Sequence, residues 1–206
     1  MKKNIAIIDY GVGNLMSVLN AVEYIGGYGG VVQNPSDLSG YSHAILPGVG
    51  AFGEGIAFLH ESGWSDEIHE YAVHQKRPFL GICLGMQLLA DSSTEHGTHK
   101  GLGLISGEVT KFENLRGLRV PHVGWNEVLF SPDARMYVGL KESDDYYFVN
   151  SYKFHAADPN TVSGTCHYGV EFAASLEKDN VWGTQFHPEK SQKAGLKIIE
   201  NFWGMG

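Results

Sequence analysis

Short runs of apolar residues alternate with amphipathic stretches through the first ninety residues of the chain. The apolar runs occupy residues 4–8, 31–32, 44–46 and 79–83. Continuous runs of this length are typical of strands that are buried on both faces of a parallel sheet. Apolar residues at helical spacing lie between them, at residues 15–25, 56–60 and 66–74. Strands that alternate with helices indicate an α/β fold with an open, largely parallel sheet flanked by helices.

The pattern changes in the second half of the chain. A polar segment, residues 92–101, predicts a loop over one edge of the sheet. Short β-like runs then follow one another with no helical stretch between them, which indicates an antiparallel C-terminal part. These runs are residues 107–112, 127–130, 146–149, 161–165, 172–176 and 181–184, and a last helix is predicted over residues 191–203. Because neither a repeat nor a linker interrupts the chain, we expect one domain over residues 1–206.

One stretch has the layout of a nucleophile elbow. The apolar run 79–83 ends at Cys83, which has Gly81 and Gly85 two residues away on either side, and a helix-like pattern follows at residues 86–90. In such an elbow a sharp strand-to-helix turn exposes the nucleophile, and the glycines let the backbone cross closely. The start of the helix favours the thiolate, which is the nucleophilic form of sulfur. By itself the stretch fits a buried structural cysteine equally well.

A histidine and a carboxylate follow the last β-like run. The run 181–184 leads into His187, Pro188 and Glu189. Proline biases the preceding residue towards an extended conformation, in which side chains two residues apart point to the same face. Glu189 can therefore lie beside the imidazole of His187 and orient it. Alone, this segment also fits an exposed turn before the last helix, but together with Cys83 it predicts a Cys–His–Glu triad at strand ends.

Composition and charge argue against several other classes of function. A net charge of −8 disfavours nucleic-acid binding, because nucleic-acid-binding proteins normally carry a basic surface. No apolar run approaches the ~20 residues that span a bilayer, and residues 4–9 fit a first strand better than a signal peptide. The two cysteines, Cys83 and Cys166, cannot form a disulfide framework. We therefore expect a reduced, cytoplasmic protein without membrane association.

Two cofactor hypotheses fail on spacing. Gly11 and Gly13 follow the first predicted strand, but the third glycine of a dinucleotide-binding fingerprint would fall at Met16. His96 and His99 lie three residues apart in the polar segment, but no carboxylate or cysteine completes a metal-binding set with them. We therefore expect neither a cofactor nor a metal.

The two segments that carry the predicted triad resemble the class I (triad) glutamine amidotransferases. They are residues 81–87 and 185–189. Residues 8–15, 47–50 and 121–126 narrow the resemblance to the glutaminase subunits of imidazole glycerol phosphate synthases, which belong to histidine biosynthesis. The similarity runs from Ile5 to Trp203.

This resemblance implies a reaction and a role for individual residues. Cys83 would attack the side-chain amide of glutamine, His187 would protonate the leaving ammonia and then activate water, and Glu189 would orient His187. Backbone N–H groups of Val49 and Leu84 would form the oxyanion hole. The residues that would contact glutamine are Gly50, Gln87, Glu95, Ser151 and Tyr152.

The resemblance also implies a partner, because released ammonia is lost to protonation in bulk water. In the resembled family the partner is a barrel-shaped cyclase subunit, which forms a heterodimer with the glutaminase and makes imidazole glycerol phosphate. The positions that match the docking face of the family are Asn14, His122, Trp125 and Asn126. From the sequence alone, Trp125 fits a core aromatic residue as well as an interface residue.

One departure from the family pattern bears on the partner. Asn150 stands where the family usually has histidine, which keeps a hydrogen-bonding group but removes an ionisable one. A homologous glutaminase that supplies a different synthetase, such as one forming amidino groups on surface-polysaccharide sugars, is therefore an alternative. A stand-alone cysteine amidase or γ-glutamyl peptidase and a non-catalytic regulatory subunit are further alternatives. The motif around Trp125 disfavours a stand-alone amidase or peptidase, and the complete triad disfavours a non-catalytic subunit.

Overall fold

The computed structural model describes residues 3–113, 115 and 117–206. The strands of this part of the chain are β1 Ile5–Ile8, β2 Gly29–Val32, β3 His43–Gly48, β4 Phe79–Cys83, β5 Ser92–Ser93, β6 His99–Lys100, β7 Gly107–Lys111, β8 His122–Phe130, β9 Ser143–Asn150, β10 Tyr152–Ala156, β11 Val162–Tyr168, β12 Val170–Lys178 and β13 Val181–Thr184. The helices are α1 Leu15–Tyr24, α2 Phe52–Glu61, α3 Trp64–His69, α4 Leu84–Leu88 and α5 Gln192–Trp203. A main sheet has the order β2-β1-β3-β4-β13-β12-β11-β8-β9, and a smaller one has the order β10-β7-β5-β6.

One half of the main sheet is parallel and covered on both faces. Strands β2, β1, β3, β4 and β13 run parallel to one another. Of these, β1, β3, β4 and β13 are buried along their whole length. Ile5 and Ile7 belong to a core that includes residues of α1 and α5, whereas Ala6 and Ile8 belong to a second core that includes residues of α2, α3 and α4. The predicted parallel sheet with flanking helices is therefore confirmed.

The carboxyl ends of the central parallel strands meet at one edge. Gly48 at the end of β3 pairs with Cys83 at the end of β4, and Thr184 at the end of β13 pairs with Ile82. Residues that follow β3, β4 and β13 are consequently brought close together. Ligands of open α/β sheets bind at this edge, outside the carboxyl ends of the strands.

The other half of the main sheet is antiparallel, as predicted for the C-terminal part. Strand β12 pairs antiparallel with β13, and β11, β8 and β9 continue in the same manner. Along β8, buried positions are separated by exposed or half-buried ones, so one face of this half is open to solvent. The smaller sheet contacts the main sheet between β10 and β12. The interpretation of residues 1–206 as one domain stays a prediction.

Four strands outside the parallel half differ from the expectations. The segment 92–101, which we predicted to be a loop, contains β5 and β6. Strand β8 begins at His122 rather than at residue 127, and β10 lies where no strand was predicted. Strands β5 and β10 pair with β7, β6 pairs with β5, and β8 pairs with β9. Such pairing with distant residues leaves little trace in the local apolar pattern.

Two helical stretches also differ in their limits. The helix predicted over residues 66–74 is α3, followed by a π-helical turn over Glu70–His74. The helix after Cys83 begins directly at Leu84 and ends at Leu88, earlier than the predicted residues 86–90. Its five residues limit the dipole that it can present to the sulfur.

Candidate active site

Cys83 occupies a strained turn between β4 and α4. Its φ of 55° and ψ of −108° lie outside the regions that side-chain-bearing residues normally adopt. A Cβ at Gly81 would come within 2.5 Å of the Gly85 carbonyl oxygen, and one at Gly85 would collide with the Leu46 carbonyl oxygen. Both flanking positions therefore require glycine so that α4 can pack directly on β3 and β4. The turn leaves Cys83 7% exposed, at the carboxyl edge of the sheet.

His187 and Glu189 form a buried hydrogen-bonded pair. His187 has an extended backbone, and a 3-10 turn over Pro188–Lys190 follows it. His187 Nδ1 lies 2.9 Å from Glu189 Oε1, and the two side chains are 5% and 2% exposed. The carboxylate thus fixes the orientation of the imidazole, as the spacing of two residues predicted.

The surroundings of His187 favour its protonated form. Burial by itself would lower the pKa of His187. Hydrogen bonds to Cys83 and Glu189, together with the negative charges of these groups, outweigh burial and raise the pKa to about 9. An imidazolium therefore stands between the sulfur and the carboxylate at neutral pH, which is suited to giving a proton to a leaving group.

Two further groups contact the sulfur. Cys83 Sγ lies 3.8 Å from the carbonyl oxygen of Val149 and 3.9 Å from Nε2 of Gln185. Gln185 is fully buried, and the sequence analysis did not single it out. It precedes His187 by two residues, so the period-two argument that linked His187 to Glu189 also indicates Gln185.

A cavity of about 310 Å³ opens beside these residues. Its size lies at the lower end of the range for small-molecule sites. Besides Cys83 and His187, it is lined by Val49, Gly50, Leu84, Gln87, Glu95, Pro121, Val149, Asn150, Ser151, Tyr152 and Lys190. The cavity therefore brings together the residues predicted to contact glutamine and those predicted for the oxyanion hole. Glu189 lies behind His187 and does not line the cavity.

Glu95 links the segment above the cavity to the loop 47–50. Its Oε2 accepts a hydrogen bond of 2.7 Å from the backbone N–H of Phe52, the first residue of α2. This contact adds a negative charge to the start of α2 and fixes the end of the loop. Gly50 in this loop has a φ of 104°, a conformation that glycine adopts readily.

The positions predicted for a docking face differ in their exposure. Asn14 is exposed, and its side chain accepts a hydrogen bond from the backbone N–H of Ser17 at the start of α1. Trp125 is 48% exposed. Asn126 is half-buried, and its Nδ2 donates to the carbonyl oxygen of His167.

His122 departs from this expectation. Its side chain is buried, and its ring stacks on Phe148 and Tyr168 at centroid distances of 4.9 Å and 4.0 Å. His122 therefore lies beneath the exposed residues of β8, and its place at a docking face stays a prediction. Asn126 Nδ2 lies 3.4 Å from His122 Nε2, which links the buried ring to the surface.

The part of the chain that the structure describes has neither a metal-binding cluster nor a membrane-spanning helix. No group of three or more His, Cys, Asp or Glu side chains among residues 3–113, 115 and 117–206 could hold a metal ion. No helix within these ranges is both long enough and apolar enough to traverse a bilayer. A larger cavity, of about 580 Å³, is lined by Ala72, Pro78 and Val181 among others, at the opposite end of β4 and β13 from Cys83.

Comparisons with known proteins identify the family. The family model described as "Glutamine amidotransferase class-I" matches residues 6–205. "Imidazole glycerol phosphate synthase subunit HisH 1" of Campylobacter jejuni (strain RM1221) is 47% identical over 198 residues, which cover 96% of this chain and 98% of the relative. The HisH subunit of Desulfitobacterium hafniense (strain DSM 10664 / DCB-2) is 46% identical, with 96% and 92% covered. The structure of PurLQS from Thermotoga maritima shares the fold, with a TM-score of 0.77 at 20% identity and 99% of both chains covered.

The sheet and the residues at its carboxyl edge define an α/β enzyme built around a nucleophile elbow. The chain belongs to the class-I glutamine amidotransferase family, as the match over nearly its whole length shows. Relatives that share almost half of its residues are named as HisH subunits of imidazole glycerol phosphate synthase. The resemblance inferred from the sequence is therefore confirmed.

Proposed function

We propose that this chain is the glutaminase subunit of an imidazole glycerol phosphate synthase. It hydrolyses glutamine to glutamate and passes the ammonia to a cyclase subunit in histidine biosynthesis. The observation that carries the proposal is that Cys83 and His187 line a cavity of about 310 Å³, with Glu189 hydrogen-bonded to His187 behind it. The names of the relatives support the choice of pathway.

The first half of the reaction is acyl transfer to sulfur. The Cys83 thiolate attacks the side-chain carbonyl carbon of glutamine, and the carbonyl oxygen becomes an oxyanion. The C–N bond then breaks, and the His187 imidazolium gives its proton to the departing nitrogen, so that ammonia and a γ-glutamyl thioester result. The raised pKa of His187, about 9, supports this role because the proton is in place at neutral pH.

The second half is hydrolysis of the thioester. Neutral His187 takes a proton from water, the hydroxide adds to the thioester carbon, and glutamate leaves as the sulfur returns to thiolate. Glu189 keeps the imidazole oriented through both halves, and its 2.9 Å hydrogen bond to His187 supports this role.

Backbone N–H groups stabilise the oxyanion in both halves. Val49 and Leu84 supply them, and both residues line the cavity beside Cys83. Donors of this kind lower the barrier by a few kcal/mol, on the order of 3 kcal/mol for one donor. The glycines at positions 48 and 50 allow the loop to turn its N–H groups towards the substrate.

Glutamine is held by the remaining residues of the cavity. The Glu95 carboxylate attracts the α-ammonium group, and Gln87 offers its carbonyl oxygen because both of its N–H groups are used within the protein. Gly50, Ser151 and Tyr152 complete the contacts. The exposure of Trp125 supports a role in docking the cyclase together with Asn14 and Asn126.

Glutamate release with and without the cyclase subunit tests this function. We expect weak glutaminase activity of the isolated chain and stimulation when the cyclase and its phosphoribulosyl substrate are both present. A matched reaction supplies free ammonia instead of glutamine. If the cyclase is active with ammonia, any loss of activity with glutamine lies in the glutaminase. High activity of the isolated chain without stimulation would contradict the assignment to a synthase.

A further inference from the structure

A fully buried glutamine side chain, which does not itself line the cavity, contacts the sulfur of Cys83. Gln185 follows β13, and its backbone N–H donates to the carbonyl oxygen of Ala174 at 2.8 Å, so its position is fixed by the sheet. Its Nε2 lies 3.9 Å from Cys83 Sγ. Buried polar side chains are rarely retained without a hydrogen-bonding role.

The orientation of this amide is fixed by a second glutamine. Gln87 Nε2 lies 2.9 Å from Gln185 Oε1 and 3.2 Å from the carbonyl oxygen of Tyr152. Because the carbonyl of Tyr152 can only accept, the nitrogen of Gln87 must face it, and the remaining N–H of Gln87 meets the oxygen of Gln185. The amide nitrogen of Gln185 is thereby turned towards the sulfur.

The groups around the sulfur have different preferences for its protonation state. The carbonyl oxygen of Val149, 3.8 Å away, can only accept and therefore favours the thiol. The N–H of Gln185 can only donate, so it favours the thiolate. We propose that Gln185 is a positioning residue that stabilises the Cys83 thiolate and connects it through Gln87 to the cavity. This inference rests on the proposed function only in taking Cys83 as the nucleophile.

Other ionisable groups also face the sulfur and must be kept constant in a test. His187 contacts it directly, with Glu189 behind. Tyr10, buried after β1, has a raised pKa because of burial and the nearby Cys83 charge. Glu95 and Lys190 line the same cavity. None of these residues is altered by a substitution at position 185.

The test is the pH dependence of Cys83 alkylation by iodoacetamide in the isolated chain, read by mass spectrometry of the Cys83 peptide. Gln185→Met removes the donor and keeps the volume. Gln185→Glu keeps the shape and the acceptor for Gln87 but replaces the donor by a charge. Thr184→Val is the matched control: Thr184 is fully buried one residue earlier, and its hydroxyl finds no partner among the described residues.

We expect the midpoint of the alkylation profile to rise by about one pH unit in Gln185→Met, which corresponds to losing one hydrogen bond to a charged group. The rise is larger in Gln185→Glu, and the midpoint is unchanged in Thr184→Val. Unchanged midpoints in both Gln185 variants would overturn the proposal, as would an equal rise in Thr184→Val. If Gln185→Met does not fold, Gln185→Glu decides alone.

Alkylation does not require glutamine or a partner, so its outcome is separate from that of the proposed function. A raised midpoint in a chain without glutaminase activity would support the role of Gln185 and refute the function. In an active chain, we also expect kcat for glutamine to fall at least about tenfold in Gln185→Met at pH 7 while KM changes less, because the substitution acts on the nucleophile.

Discussion

The parallel and antiparallel halves of the main sheet carry different parts of the proposed function. In the parallel half, β1, β3, β4 and β13 are buried on both faces, and the reacting groups stand only where β4 and β13 end. In the antiparallel half, β8 is buried on one face and presents Trp125 on the other. In the proposed function, chemistry therefore depends on strand ends in a covered sheet, whereas docking of a partner would use an open strand face.

The two cysteines illustrate the same difference. Cys83 ends β4 and lines the cavity, beside an imidazolium. Cys166 lies within β11, where burial and then the charge of Glu127 raise the pKa of its thiol to about 12. The residue type is the same, and the position in the sheet separates the proposed nucleophile from a packing group.

The largest effect that we expect comes from the cysteine of the parallel half. Cys83→Ala removes the nucleophile and should reduce glutaminase activity by at least about 10⁴-fold, as for other covalent catalysts. Partner binding should persist, since Cys83 is buried. Cys166→Ala is the control, and its activity should stay within about threefold of the wild type because it loses only packing. Glutamate release by Cys83→Ala at a wild-type rate would refute the proposed difference between Cys83 and Cys166.

The next effect concerns the orienting carboxylate. Glu189→Gln removes the charge that helps to raise the pKa of His187, so that pKa should fall towards its usual value. The alkaline limb of the kcat profile should then move to lower pH, and kcat should fall by roughly 10²- to 10⁴-fold. A pH profile of glutamate release measures both. An unmoved alkaline limb would show that His187 is not the group that titrates there.

A smaller effect is expected on the open face of β8. Trp125→Ala should weaken binding of the cyclase by roughly tenfold to a hundredfold, the usual range for a central aromatic residue. Basal glutaminase activity should not change. Leu129→Ala alters another exposed apolar residue of β8, 55% exposed, and serves as the control in a titration of the two subunits. Equal binding of the cyclase by the wild type and Trp125→Ala would show that Trp125 does not belong to the docking face.

The smallest effect that we expect is on the stability of the fold in acid. It involves one buried histidine from each half of the main sheet. Burial lowers the pKa of His43 in β3 and of His122 in β8 to about 4. Between pH 6.5 and 4 the unfolded chain therefore binds more protons than the folded one, and the free energy of unfolding falls as the pH falls. Above pH 6.5 the contribution of these two neutral, buried histidines to the free energy of unfolding is fully present.

Denaturant unfolding at several pH values measures this effect. His43→Asn and His122→Asn should each reduce the pH dependence between pH 4 and 6.5 by about one proton. If residues 1–206 form one domain, both substitutions act on a single transition. Two transitions, each sensitive to only one of the two histidines, would show that the halves unfold separately.

The sequence predicted the parallel half more completely than the antiparallel half. Runs buried on both faces are visible as continuous apolar stretches, and Cys83, with its flanking glycines, and His187 mark the strand ends directly. The start of β8 at His122 and the whole of β10 depend on pairing with distant strands, which local residues do not encode.

Side-chain burial was the other property that the sequence left open. His122 was expected at the docking face, but stacking on Phe148 and Tyr168 buries it. The contact of Gln185 with the sulfur depends on Gln87, almost a hundred residues away. Relations of this kind arise only when separate elements are brought together.

Labelling with a diazoketone analogue of glutamine would show whether Cys83 is the nucleophile of a glutamine site, because the reagent combines glutamine recognition with attack by a nucleophile. We expect one equivalent of label on Cys83, loss of glutaminase activity in proportion to labelling, and protection by glutamine. Label on Cys166 or on any other residue, or full activity after complete labelling of Cys83, would contradict the assignment of Cys83 as the nucleophile.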